Sequence, residues 1–349
     1  MFNRRMAAFG KMTNLARRRP LWLSLVLFLC LIYLGVMMSL FAARAVMPHW
    51  PSWLALLNVF APFLFAPLLI ILPVALWARS KTVFMAGLVA AALGFLLYGS
   101  RFLTEPPANA AANGVMTVMT FNLGPNQALP EQNLAAIEAE NADIVTVQEL
   151  VPATVKLLRA SLADRYPYMI LDLRADTTGL LSRYPIINSD WFSPAGRGRS
   201  VLHATLNVNG TPLHILAVHP LPPGISWHDE YPLPTGLDDA EQELEAKDIL
   251  RRVTYLEGPV LVVGDFNMSD QSSVYNLVSS ALEDSYRQVG WGLGFTFPNH
   301  LKMQGMPVPG PFIRIDYVFH SAHTSAQSAR VSCEGGSDHC YLVVKLTKN

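Results

Sequence analysis

Asp265 and Asn267 close the stretch LVVGDFNMSD, where the apolar run Leu261, Val262, Val263 is broken by Gly264. On an extended chain, residues two apart face the same side, so an acid and an amide would converge just beyond a buried strand. Ligands of layered α/β folds bind at such places. Asp and Asn also make ordinary turns, so the pair alone is a weak signal.

Other apolar runs end in the same way. Asn122 follows one in TFNLG, Glu149 in TVQEL and His219 in AVHPLPP, while GGSDHC places Ser337, Asp338 and His339 in a glycine-flanked turn. Asp316 sits inside IRIDYVF, where a strand would be apolar. Carboxylates and amides without cysteine suit a hard divalent ion such as Mg²⁺, or Mn²⁺. Two histidines beside them suit stabilisation of a phosphoryl group or protonation of a leaving oxygen. The chemistry implied is metal-assisted hydrolysis of a phosphate ester.

The elements that must position these residues follow from the alternation of strand-like and helix-like patterns after residue 114, the layout of an α/β or α+β domain. Strands are expected at 115–121, 143–148, 178–182, 201–208, 212–219, 259–265, 312–319, 328–333 and 340–346, with helices at 130–140, 152–162, 238–256 and 271–281. Asn209-Gly210 marks a two-residue hairpin, and Asp238 and Asp239 suit the start of the third helix. The stretch PLPPGISWHDEYPLPTG after His219 is too rich in proline to be regular and reads as a long loop.

Charge divides the chain. Residues 1–100 hold no Asp or Glu, whereas 101–349 hold 17 Lys and Arg against 26 Asp and Glu, a formal charge of −9. The first part reads as membrane, with uncharged runs at 21–43 and 53–77 and a shorter one at 82–99. Arg4, Arg5, Lys11, Arg17, Arg18 and Arg19 precede the first run, which puts the N-terminus in the cytoplasm. Three crossings then place the rest outside it, in a bacterial-type inner membrane. The prolines at 62, 67 and 73 make the second run the weak point of that topology. The expected organisation is a basic segment (1–20), a three-helix membrane region (21–100), a tether (101–114) and a catalytic domain (115–349). Cys333 and Cys340 either form a disulfide or stand as two thiols in facing strands.

The ordered set TFNL, QE, GLLSRYPI, the His of AVHP, GDFN, RIDYVF and SDH resembles the endonuclease/exonuclease/phosphatase superfamily over roughly residues 115–346. With the preceding spans it resembles the bacterial membrane-anchored members. The resemblance implies a four-layer sandwich, two mixed β-sheets packed face to face with outer helices. It implies Glu149, Asn122 and Asp338 as metal ligands, and Asp265 as the group that aligns or deprotonates the attacking water. Asn267 would hold phosphate or that water, His219 and His339 would contact the scissile phosphate, and Asp316 would orient His339. Arg199, in GRGRS, is added as a phosphate contact on its type and place alone.

The resemblance leaves the substrate open. A nucleic-acid surface needs several phosphate-neutralising Lys and Arg, which a domain at −9 is poorly equipped to supply. A short tether keeps the domain near the bilayer, and Trp227 and Tyr231 suit its interface. A lipid or lipid-linked phosphoester is the favoured partner. A nuclease is the alternative. A non-catalytic headgroup- or protein-binding module would have lost the ligand positions that this sequence keeps.

Overall fold

The computed structural model describes residues 19–47, 50–103, 115–124, 129–173, 178–196, 198–231, 233–303 and 306–349. The basic segment up to residue 18 and residues 104–114 of the expected tether lie outside the described residues. The first four helices are α1 (Leu21–Val46), α2 (Ser52–Val59), α3 (Leu68–Trp77) and α4 (Lys81–Tyr98). The chain divides into two compact units, and α2 belongs with the large C-terminal one, as does the chain from Leu97 onward.

In the first unit, Leu27, Leu34 and Met37 of α1 pack with Leu68 and Ile71 of α3. Leu25, Phe28 and Ile32 face outward, leaving α1 apolar all round, the pattern of a helix solvated by lipid. Helix α1 and the stretch Lys81–Phe102 are each long and apolar enough to cross a membrane. The run at 53–77 is not one straight helix: Ser52–Val59 and Ala61–Trp77 meet at 72°. Pro62 and Pro67 lack the N–H that would continue the helical ladder, and a 3₁₀ turn at Ala61–Phe65 fills the break.

The second unit carries sixteen strands among the described residues. They are β1 (Met116–Asn122), β2 (Ile144–Gln148), β3 (Tyr168–Leu171), β4 (Gly179–Ser182), β5 (Ile186–Phe192), β6 (Val201–Val208), β7 (Thr211–Val218) and β8 (Gly224–Trp227). Then follow β9 (Pro234–Asp238), β10 (Val260–Asp265), β11 (Glu283–Asp284), β12 (Lys302–Met303), β13 (Met306–Pro307), β14 (Asp316–His320), β15 (Thr324–Ser332) and β16 (Tyr341–Lys348). The helices among them are α5 (Pro130–Glu140), α6 (Pro152–Leu162), α7 (Ala240–Thr254), α8 (Ser273–Ser279) and α9 (Ser285–Val289). Two mixed six-stranded sheets result, ordered β15-β16-β1-β2-β4-β3 and β11-β14-β10-β7-β6-β5.

Side-chain alternation makes the layers. In β10, Leu261 and Val263 enter the core between the sheets with Val118, Ile215 and Val344, while Val260 and Val262 face α7 and α8. In β1, Met119 and Phe121 face α5 and α6 instead. Strands buried on both faces read as continuous apolar runs, and each such side chain contributes about 1.5–3 kcal/mol of burial. The expected sandwich with outer helices is the fold observed.

Two local expectations are corrected, and one alternative that the sequence left open is resolved. The proline-rich stretch after His219 is not irregular, because it folds back as the antiparallel hairpin β8–β9. Helix α2 packs against this hairpin: a Cβ on Gly236 would lie 2.7 Å from Ser52 Oγ. The strand expected from 312 begins only at Asp316, because Pro311 precedes it and Ile313 makes an isolated bridge to Phe297. Cys333 and Cys340 are bonded to each other.

Candidate active site

Register brings the chemistry-bearing residues to one edge. Asn122, the last residue of β1, pairs with Gln148, the last of β2, so Glu149 emerges beside it. Asp265, the last of β10, pairs with Asp316, the first of β14. His219 follows β7, which is parallel to β10, and Ser337, Asp338 and His339 precede β16, which is antiparallel to β1. The ends of two β-sheets thus meet.

Asn122 is the hub. Its Nδ2 donates to Glu149 Oε1 at 3.2 Å and to Asp265 Oδ2 at 2.9 Å, and its Oδ1 accepts from Gly124 N–H. His219 Nε2 lies 3.6 Å from Asp265 Oδ2 and 3.8 Å from Glu149 Oε1. On the far side His339 Nε2 lies 3.8 Å from the same Asp265 oxygen, and its Nδ1 is 3.0 Å from Asp316 Oδ2. Arg199 sets its guanidinium against the His219 ring, 2.9 Å from Nδ1. These distances tie together Asn122, Glu149, Asp265, His219, His339, Asp316 and Arg199, all singled out in the sequence.

Asn267 departs from the sequence expectation. Gly264 adopts φ +155° where a Cβ would stand 2.0 Å from Val218 O, and Asn267 is left-handed at φ +51°. The chain therefore turns after Asp265 instead of extending, and Asn267 N–H donates to Asp265 Oδ1. The Asn267 amide donates to Pro220 O at 3.0 Å. Glu149 is also left-handed, at φ +59°, a conformation of order 1–3 kcal/mol less favourable that clusters at functional sites.

The two histidines are driven apart. Burial pushes His219 down to about 4, with Asp265 opposing and Arg199 assisting, so its ring is neutral at neutral pH. Burial also opposes charge on His339, but Asp316 and then Asp265 outweigh it and lift His339 to about 10. Burial raises Glu149, against the Asn122 hydrogen bond and His339, and the charges of Asp265 and Asp338 raise it further.

Those neighbouring carboxylates test the fit of a metal. Asp265, Asp316 and His339 offer atoms within 4.8 Å of one another, yet the His339–Asp316 contact uses one atom of each. The carboxylates of Glu149, Asp265 and the nearby Asp338, gathered around the Asn122 amide, are better matched to a hard divalent cation, whose charge would offset the repulsion that raises Glu149. The residues present fit such an ion.

Three residues that hold the site, Thr296, Asn299 and Gln242, carried no recognised signal in the sequence, and a fourth, Ser337, was marked there only as part of the turn. Thr296 Oγ1 accepts from the N–H groups of Ile315 and Asp316, and Thr296 O accepts from Cys340 N–H. Asn299 donates to Ser337 O and, through its backbone, to Asp338 O. Gln242 of α7 donates to Asn267 O at 3.0 Å and to Leu221 O at 2.9 Å, fixing the turn after β10. Ser337 Oγ donates to Asn122 O at 2.7 Å, locking the β16 turn onto β1. Their partners are mostly backbone groups, which leave no pattern in a sequence.

A cavity of about 470 Å³ opens beside Asp265, Asn267 and His339, walled by α2 and the β8–β9 hairpin. A second, more polar cleft of about 830 Å³ lies on the other side of Asp338, against Asn299, His300 and Lys302.

Solved structures share this architecture. An endonuclease/exonuclease/phosphatase from Bacteroides vulgatus is 18% identical at a TM-score of 0.53, over 67% of this chain and 99% of that one. D. rerio TDP2, solved with a single-strand DNA product, is 16% identical at 0.53, again over 67% and 99%. A functionally unknown conserved protein from Enterococcus faecalis is 17% identical at 0.52, over 67% and 100%. At such identities the likeness is one of fold. A search of curated proteins gives no match. The model of the Endonuclease/Exonuclease/phosphatase family matches residues 119–339. That span begins inside β1 and ends on His339, enclosing every strand end described above, and the chain belongs to this family.

Proposed function

We propose that the protein is a membrane-anchored, divalent-metal-dependent phosphoester hydrolase, a phosphodiesterase or phosphatase, acting on an envelope lipid or lipid-linked phosphate. The observation that carries this reading is the shared Asp265 carboxylate, approached by the Asn122 amide from one side and by both histidines from the others. Glu149, Asn122 and Asp338 would hold the ion, which would supply charge stabilisation to the phosphoryl oxygens. Asp265 aligns the attacking water and takes its proton. His339, charged and steered by Asp316, donates a hydrogen bond to the phosphoryl group. Neutral His219 and the adjoining Arg199 contact the same group, and Asn267 completes the phosphate contacts.

The membrane half of the reading rests on two helices, or three with the bent pair, that are apolar enough to span. With the bent pair counted as one span, three crossings after a basic N-terminal segment support a domain outside the cytoplasm. The Cys333–Cys340 disulfide supports that side, since such bonds persist in oxidising compartments. A nuclease is the second reading, favoured by the likeness to a structure that holds a DNA product and opposed by the −9 charge of residues 101–349.

The test uses the full chain in nanodiscs, with Mg²⁺ or EDTA, on mixed phospholipids and on plasmid DNA, with His339→Ala as blank. Metal-dependent lipid cleavage with intact plasmid supports the reading. Nicked plasmid with untouched lipid makes the protein an anchored nuclease.

A further inference from the structure

We propose that the cavity between α2 and the β8–β9 hairpin holds the hydrocarbon chain of the substrate, so that the enzyme takes membrane phosphoesters whose alcohol carries such a chain. This deepens the reading above and rests on it for the chemistry at the phosphate.

Continuity with the site is the first ground. One cavity of about 470 Å³ is lined both by Asp265, Asn267 and His339 and by Leu56 and Val59 of α2, Ile225 and Leu237 of the hairpin, and Ile313. That volume lies within the range of about 300–1,000 Å³ for small-molecule sites, whose walls are mostly apolar with a few polar groups fixing orientation. Here the polar groups include the candidate site residues Glu149, Asp265, Asn267, Asp338 and His339, beside Asp239, Gln242, Ser269 and Ser272. A phosphate placed on them has an apolar space immediately beside it.

Where the walls come from is the second ground. Helix α2, SWLALLNV, lies in the uncharged run that opens at residue 53, yet it belongs to the unit of the catalytic domain. Its outer face exposes Trp53 and Leu57, and the hairpin exposes Trp227, Tyr231 and Leu233. Apolar and aromatic side chains grouped in this way mark a surface that meets lipid or another apolar partner. The phenyl rings of Phe60 and Phe312 stand 6.0 Å apart, joining the end of α2 to the segment that leads into Asp316. A hydrocarbon chain lying between helix and hairpin would occupy the same cavity that Asp265 lines. A free nucleic acid has no hydrocarbon to fill this space, which separates the substrate class from that of a soluble nuclease.

The experiment uses the full chain in nanodiscs with Mg²⁺ and two esters releasing the same chromophore, methyl and hexadecyl p-nitrophenyl phosphate. Ala55→Phe fills the cavity with bulk, and Leu56→Asp places a charge in its wall. Each variant is expected to lower kcat/KM for the hexadecyl ester by about tenfold or more, a factor reached when two methylenes lose their burial. The methyl ester should change less than about twofold, which also reports that the variant is folded. Equal effects on both esters, or on neither, overturn the proposal. A second readout needs no turnover: a hexadecyl phosphonate with a photoreactive diazirine at its chain end. Crosslinks are expected in residues 50–60 and 224–237 and should be lost in Ala55→Phe. Crosslinks confined to other segments, or displaced by a single-stranded oligonucleotide, overturn it. If wild type cleaves neither ester yet crosslinks as expected, the hydrolase reading fails while the hydrocarbon site stands.

Discussion

The His339 ring donates through Nδ1 to Asp316 Oδ2 at 3.0 Å, and both side chains are buried. Asp316 and Asp265 lift the imidazole to about 10 against the opposing effect of burial. The sign follows: a pKa raised on folding adds stability that is fully present below about 6.5 and lost as pH rises toward 10. Asp316→Asn removes the larger of the two supporting charges. Its kcat is expected to fall about 10- to 100-fold, as for other residues that orient a functional imidazole. The alkaline limb of its pH–rate profile should move toward neutrality. An alkaline limb that stays in place in Asp316→Asn would show that His339 does not act as a cation.

Removal of the groups proposed to meet the phosphate or the ion should be more severe. His339→Ala, Asp265→Ala and Glu149→Ala are each expected to lose about 10²- to 10⁴-fold in kcat, with far-ultraviolet circular dichroism unchanged. Wild-type turnover in any of these folded variants places the site elsewhere.

His219 behaves in the opposite sense. Burial holds it down to about 4, so stability is present above about 6.5 and lost as pH falls from there to about 4, where the unfolded chain binds the extra proton. Arg199→Ala removes one of the charges that keep the ring neutral. The His219 titration, followed by NMR of its ring protons, should move upward by less than the burial shift itself. KM for the phosphoester should rise by about tenfold with kcat less affected, since a lost hydrogen bond to a charged group is worth about 1.5–3 kcal/mol. An unchanged KM would reduce Arg199 to a support for the His219 ring.

Much of this was readable beforehand, for a physical reason. Strand β10 buries both faces, so Leu261, Val262 and Val263 appear as an unbroken apolar run, and Asp265 at its tip stands out. Asn209-Gly210 takes φ +52° and +86°, the left-handed pair that makes this dipeptide a hairpin signal. The β8–β9 hairpin was illegible because β8 is exposed along its whole length and thus carries no alternation. What it packs on, α2, comes from a distant part of the chain that reads as membrane. The turn at Asn267 was illegible because it is imposed by Gly264 meeting β7 and by Gln242, neither visible from the spacing of Asp and Asn.

Cys333 and Cys340 are seven residues apart, and the loop they close contains Ser337, Asp338 and His339. Closing a loop this short is worth about 2–3 kcal/mol in chain entropy. The double variant Cys333→Ser/Cys340→Ser should melt roughly 5–10 °C lower for a domain of this size. It should also lose activity more steeply with temperature than wild type, because the loop presents the candidate cation. Melting and activity indistinguishable from wild type would mean that Asn299 and Ser337 hold the turn without the bond.

Arg314 was passed over in IRIDYVF in favour of Asp316, yet it is among the largest fully buried side chains. Its guanidinium grips Asp284 through two bonds of 3.0 and 2.6 Å, lies 3.7 Å from Asp270 and sits over the Tyr317 ring. Asp270 in turn holds Arg101 at 3.0 Å, three residues beyond the end of α4. The chain leaving α4 is thus joined by buried ion pairs to the segment that delivers Asp316. Arg314→Met leaves Asp284 buried without its main partner, and breaking such a pair from one side destabilises by about 3–5 kcal/mol. Arg314→Met/Asp284→Asn should recover part of that loss, because the uncompensated charge is gone. Urea unfolding of the four proteins in this cycle measures the coupling. If the double variant is as unstable as the sum of the two single ones, the pair contributes packing alone and the ionic link from α4 to the Asp316 strand carries no energy.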